Sequence, residues 1–354
     1  MAASNLRRKA GNLALILMVM VTSFWAFWGA AEFYYEAWGL PFPEPLFYLI
    51  PFVITLSLTL AAMKWPRLGG WVIIILGAAF TFFVMAPRIT SDRLTLQAFL
   101  SWFPLTFLLL ALGWLFIWGG PTAFQSAPEA NELPFWRRHW QRVLALGLPV
   151  LIILGISARM LPFVLARHDD GERGARLISG SGLALVWAPA GPGWNWKQPW
   201  GGYPSWNALA WYGMAPVGLK TGDQLPDGYA SQNDMDRTGL CRYLDSSGLN
   251  LMSEPQNVWR MPSTAEIVAA LSYRGDNAGC SWTGDLGIAA CTHTPDKETP
   301  LWAPDQSPIY MWSGEQYDNV EAYYVSYNGR VQAQPKSWGN PRHGYRCVRE
   351  AEAG

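Results

Sequence analysis

Apolar residues run for membrane-scale lengths five times before residue 165, and beyond it they shorten to runs of a few residues divided by Gly, Pro, Asn and Asp. The long runs cover residues 11–33, 45–63, 68–86, 96–118 and 143–165, each about as long as a helix needs to cross roughly 30 Å of hydrocarbon. The pattern predicts about five transmembrane helices bundled over residues 1–165 and a separate α+β domain over residues 166–354. Pro104 and Pro149 lie inside the fourth and fifth runs, which membrane helices tolerate, and Arg159 lies near enough to an end to snorkel. Arg7, Arg8 and Lys9 precede the first run as they would in a signal peptide. Its length, its Trp content and the lack of a small-residue cleavage site instead predict a retained anchor.

Charge adds an orientation. Lys+Arg and Asp+Glu balance at 26 each, so nothing basic points to nucleic acid as a partner. The short loops are unequal: Arg7, Arg8, Lys9, Lys64, Arg67, Arg137, Arg138 and Arg142 fall on one side, and only Arg88 and Arg93 on the other. The positive-inside rule then puts the amino terminus in the cytoplasm, and an odd number of crossings exports the C-terminal domain to the periplasm or cell exterior. The predicted location is the plasma (inner) membrane. All 4 cysteines, Cys241, Cys280, Cys291 and Cys347, lie in the exported part, as an oxidising compartment favours. Four cysteines admit three connectivities, and their spacing does not choose among them. A zinc site is less expected, since no Cys-x-x-Cys occurs.

The first four runs carry no ionisable residue near the bilayer centre, where ion-coupled carriers place their relays. A lipid-embedded scaffold, or a bundle docking other subunits of a membrane complex, is the plainer expectation. Most of the Trp residues of this half fall near run ends, as interfacial indoles do.

Three local signals stand out in the second half. Ser263-Thr264-Ala265-Glu266 is a capping box that opens a helix with Ile267, Val268 and Leu271 on one face. Asn328-Gly329 between β-prone runs predicts a two-residue hairpin with positive φ at both positions. Tyr345 to Arg349 reads as one last strand pinned by Cys347. Together with Trp259-Arg260-Met261-Pro262, Tyr310-Met311-Trp312-Ser313, Arg346-Cys347-Val348-Arg349 and the stretch from Ser181-Gly182-Leu183 to Val186-Trp187-Ala188-Pro189, these signals resemble the Lcl C-terminal domain family. That family has the C-type-lectin-like fold shared with formylglycine-generating enzymes. The resemblance covers roughly the last half of the chain, and it implies an envelope-exposed recognition domain, in some members for glycans. It also implies that Cys241, in a helical segment, pairs with Cys347; Cys280 with Cys291 is the other bridge expected. The segments from Trp194 to Tyr229 and from Cys280 to Pro308 are longer than the family pattern, so its ligand loops do not carry over.

Candidate sites follow from composition within segments. Trp194, Trp196, Trp200, Tyr203, Trp206 and Trp211, with Tyr212, crowd one Gly/Pro-rich stretch beside Asn195 and Asn207. Flat amphipathic rings suit a glycan or a protein partner, with core packing as the plainer reading. Asp234, Asp236, Thr238 and the more distant Asp245 match part of a calcium-loop pattern. The same acids also suit a cap on the helix leading to Cys241, which is the simpler reading. His168, His293 and His343 are isolated from any nucleophile, and the cysteines have structural positions, so no catalysis is expected. The expected role is a membrane-anchored, non-catalytic envelope protein that binds a glycan or another protein. An accessory subunit of a membrane complex is the alternative, and an envelope oxidoreductase using Cys280 and Cys291 a third.

Overall fold

The computed structural model describes residues 2–90, 96–124, 135–195, 202–214 and 228–351, with the backbone alone at 2, 84–90, 96–106 and 135–138. The chain divides into two compact units: Met1–Ala37 with Pro41–Pro162, and Trp38–Leu40 with Phe163–Gly354.

The first unit is helical, built from α1 (Ala2–Glu32), α2 (Ile50–Lys64), α3 (Pro66–Thr90), α4 (Leu96–Ala123) and α5 (Phe135–Leu165). Among the described residues four segments are long and apolar enough to cross a membrane: Ala3–Ala37, Glu44–Lys64, Pro66–Phe83 and His139–Leu165. The sequence predicted five. The missing one falls on α4, where the apolar stretch with described side chains is the shorter Phe107–Ala123. Small residues set the helix contacts. A Cβ on Gly70 of α3 would sit 2.5 Å from the Gly113 carbonyl oxygen of α4, and one on Gly11 of α1 would sit 2.6 Å from Ala123 Cβ, so the backbones approach as only glycine allows. Thr22 and Thr59 share a buried hydrogen bond of 3.1 Å between α1 and α2. Gln141 ties α5 to the bundle by donating to Asn12 Oδ1 and the Ala123 carbonyl.

The second unit is rich in strands. β1 (Arg176–Gly180), β2 (Leu183–Trp187) and β13 (Val348–Glu350) form one sheet in the order β1-β2-β13. β3 (Trp194–Asn195), β7 (Gly287–Ile288), β9 (Tyr310–Gln316), β10 (Glu321–Ser326), β11 (Arg330–Pro335) and β12 (His343–Arg346) form the other in the order β3-β12-β9-β10-β11-β7. β12 runs parallel to β9; the other pairings in both sheets are antiparallel. Two short ribbons complete the unit, β4 (Ser272–Tyr273) with β5 (Asp276–Asn277) and β6 (Cys280–Ser281) with β8 (Ala290–Cys291).

Two sequence expectations are revised here. The last strand is two: β12 belongs to the large sheet and β13 to the small one, and Cys347 stands at the corner between them, with its N–H donating to the Gly193 carbonyl. The Asn328-Gly329 connection spans three residues, since Val325 pairs with Val331 and Tyr327 to Gly329 lie between strands. Only Gly329 has positive φ, at 85°, and its N–H donates to the Ser326 carbonyl; this is a turn closed by a left-handed Gly. Paired positive φ values occur at Ser181 and Gly182, the two-residue turn from β1 to β2, and at Arg274 and Gly275, the one from β4 to β5.

Short helices α6 (Trp206–Ala210), α7 (Gln232–Thr238) and α8 (Thr264–Ala269) pack on this framework. Ser263 and Glu266 make the expected capping box of α8, and Ile267, Val268 and Leu271 are buried. The core centres on Trp206, Trp259, Trp312 and Tyr345. Each indole N–H donates to a backbone carbonyl, of Ser313, Asp245 and Pro204 respectively, which removes the penalty of burying it. The bridges are Cys241–Cys347 and Cys280–Cys291, and no cysteine is free.

Candidate functional site

The aromatic segment singled out from sequence is mostly core. Trp194, Trp206, Trp211 and Tyr212 are buried, in line with the plainer reading of core packing, and for these four the alternative of a ligand surface is corrected: their faces are covered by the domain itself. Trp206 is enclosed in part by the Lys336 ammonium, 4.9 Å from its ring, and Trp194 by the Arg346 guanidinium at 3.7 Å. Tyr203 is 40% exposed. Trp196 and Trp200 lie outside the described residues. Asn207 is structural, its amide bonded to the backbone at Gly228 and Ala230.

The calcium pattern is likewise corrected. Asp234, Asp236 and Thr238 lie within α7, where the helical period sets Asp236 on a different face from Asp234 and Thr238 instead of wrapping the three around a point. Asp234 closes a capping box with Ser231, Asp236 accepts from Gln232 at 3.0 Å, and Thr238 donates to the carbonyls of Ala210 and Asp234. Asp245 organises its own turn: Asn250 and Ser247 donate to its carboxylate, holding its pKa down at about 2. Among the described residues no group of three or more His, Cys, Asp or Glu gathers to hold a metal ion.

What α7 builds instead is one side of a groove of about 300 Å³, at the lower end of ligand-site volumes. Gln232, Met235, Asp236 and Gly239 line it at helical spacing. The opposite side comes from Arg260, Met261 and Ser263 before α8, and one end from Gly314 and Glu315 of β9. Gln232 fixes α7 to β9 through the Gly314 carbonyl at 2.8 Å and the Gln316 N–H at 2.9 Å. Cys241 and Arg242 follow in the 3-10 turn Leu240–Tyr243, so the Cys241–Cys347 bridge holds the groove wall to the corner of the sheets. The two methionines supply apolar contact between cationic and anionic walls.

Electrostatics distinguish the two guanidinium groups. Arg260 is bidentate to Glu266, at 2.7 Å twice, and meets Glu350 at 2.8 Å. Those carboxylates raise its pKa despite partial burial. Burial pushes Glu266 upward, but Arg260 and the Ser263 N–H outweigh it and leave its pKa lowered. Arg242 is different. Its Nη1 donates to the Asp236 carbonyl, while its Nε is buried without a hydrogen-bond partner among the described residues. The Glu315 carboxylate accepts from the Thr264 N–H at 2.8 Å. No family model, curated protein or solved structure matches the chain. Chemically, a guanidinium N–H without a partner among the described residues, flanking carboxylates and two methionines suit a polar ligand with acceptor groups.

Sequence inspection missed the groove. Its residues come from three separated stretches, and the sequence signals on Asp236, Cys241, Arg260, Met261 and Ser263 each pointed to something other than a shared groove.

Proposed function

We propose that this is a multi-pass membrane protein whose C-terminal unit is an exported, non-catalytic recognition domain of C-type-lectin-like type, binding a glycan of the cell envelope in the groove beside α7. The apolar helices support membrane residence, and two disulfides in the C-terminal unit favour an oxidising compartment. α4 is helical over 28 residues, about 42 Å at 1.5 Å per residue, and as a fifth crossing it makes the export count odd. The lectin-like assignment draws on the pairing of β2, near the start of the unit, with β13 at its end, and on the bridge from a helical turn to the last strands. The single observation that carries recognition is Arg242 on the groove wall: its Nε is buried with no hydrogen-bond partner among the described residues, and an unmet donor of that kind costs about 1–3 kcal/mol.

The test has two parts. Reporter fusions at Gly354 and in the loop near Glu129 are expected outside and inside respectively; a cytoplasmic Gly354 overturns export. Full-length protein in micelles is then applied to an envelope-glycan array. Retention that falls at least tenfold in Arg242→Ala supports the groove, and retention unchanged by that variant, or found only for a protein partner, overturns it.

A further inference from the structure

Outside the groove, the unit carries aromatic rings that its core does not use. Tyr323 of β10 is met at near right angles by two others, Trp282 at 5.4 Å and 77° and Tyr317 at 5.2 Å and 82°. Tyr317 is 46% exposed, and Trp282 and Tyr323 are half-buried. Three sequence-distant parts bring them together. β10 presents Tyr323, the turn before it presents Tyr317, and Trp282 sits in the loop closed by the Cys280–Cys291 bridge. That loop is fastened to the large sheet where Gly287 and Ile288 pair with β11, and Trp282 is fixed in it by donating to the Asp285 carbonyl at 2.8 Å.

Four carboxylates belong to the segments that carry these rings, and the one ammonium at the turn, that of Lys336, is buried and spent on the Asn319 carbonyl at 3.2 Å and other oxygens. Asp285 is set beside Trp282 by the hydrogen bond its carbonyl accepts, and Glu315 immediately precedes Gln316, the β9 partner of Ala322, next to Tyr323; burial, Tyr317 and these two carboxylates all raise the Tyr323 pKa. Asp318 and Glu321 flank the same turn. Rings with electron-rich faces, set perpendicular to one another beside carboxylates, are complementary to a cation whose surface is partly apolar. A neutral apolar group gains nothing from the carboxylates, and an anion is repelled by them.

We infer that Trp282, Tyr317 and Tyr323, with Glu315 and Asp285, form a seat for an alkylammonium group. Glu315 also lines the groove, so the seat adjoins it, and the ammonium belongs to the ligand that the groove holds. This deepens the recognition reading and rests on it: the ligand class becomes an amine-bearing one.

Full-length protein in maltoside micelles is titrated calorimetrically with choline chloride and, separately, with its neutral isostere 3,3-dimethylbutan-1-ol. A second pair, glucosamine and N-acetylglucosamine, separates a sugar-borne amine from a quaternary one. At least one cationic probe is expected to bind saturably and about tenfold or more tightly than its neutral counterpart. That preference should vanish in Trp282→Ala and Tyr323→Ala, weaken several-fold in Glu315→Gln and Asp285→Asn, and survive in Tyr323→Phe, which keeps the ring. No saturable binding by either cation overturns the inference, as does equal binding of a neutral partner or binding retained in Tyr323→Ala. Thermal unfolding of each variant shows whether loss of binding is loss of fold, and Tyr323→Phe remains informative if the alanine variants unfold. The two readings fail separately: Arg242-dependent glycan retention without cation preference removes only the ammonium seat, whereas cation binding by a unit found in the cytoplasm removes only the envelope role.

Discussion

Lys297 is buried in the C-terminal unit, its ammonium donating to the Gln306 carbonyl. Burial first, and then the charges of Arg167 and Arg342, push its pKa from 10.5 down to about 7. The unfolded chain therefore binds more protons than the folded one between about pH 7 and 10.5. Stability rises with pH across that window, by at most about 1.4 kcal/mol per pH unit, and the contribution is constant below it. The expected result is that the stability of the native protein minus that of Lys297→Met increases as pH is raised from 7 to 10, measured by denaturant unfolding in micelles. A flat difference means that the ammonium is already solvated in the fold. Lys336 and Arg346 follow the same construction, their charges met by carbonyl and amide oxygens. His343 does too in a different way: burial takes its pKa to about 3, leaving a neutral ring stacked 4.7 Å from Trp312.

At the scale of elements, packing turns on positions where a side chain is absent. Leucine at Gly70 must displace the Gly113 carbonyl and the Ile117 side chain of α4, an overpacking that costs about 1–3 kcal/mol. Gly70→Leu is expected to lower the thermal midpoint of the bundle in micelles, and Gly155→Leu, with nothing within 4 Å of its Cβ position, to leave it unchanged. If the two variants melt alike, the α3–α4 contact does not hold the bundle. The helices themselves were legible because apolar runs and capping boxes are local signals. Their contacts were not, since a glycine reads the same whether it faces lipid or another backbone. Turns show the same divide: Asn328-Gly329 suggested two positive φ values, yet the pairing of β10 with β11 needs one, and the two-residue geometry is found at Ser181-Gly182 and Arg274-Gly275, which the sequence reading did not single out as turns. Aromatic residues were the hardest to place. Trp206 and Trp211 sit in a Gly/Pro-rich stretch that looks exposed but is core, whereas Trp282 and Tyr323 are 41 positions apart in sequence, and only the sheet and the Cys280–Cys291 loop bring them together.

For the whole molecule, the disulfides link fold stability to the side of the membrane. The Cys241–Cys347 bridge spans a sequence separation of 106 and Cys280–Cys291 one of 11. In the chain-entropy model these are worth about 5 and about 3 kcal/mol, against a typical domain stability of 5–15 kcal/mol. A unit of this kind folded in a reducing compartment would forgo much of its margin, so the bridges favour an oxidising one. Replacing Cys241 and Cys347 by Ala and Ser is expected to lower the urea midpoint of the C-terminal unit more than replacing Cys280 and Cys291 in the same way. The second pair should instead show itself locally, by loosening the loop that carries Trp282 and weakening cation binding several-fold while the midpoint moves less. If the two pairs shift the midpoint equally and cation binding follows the midpoint, loop closure is not what separates them. Cys280–Cys291 would then be a general staple, and the positioning of Trp282 would need another cause.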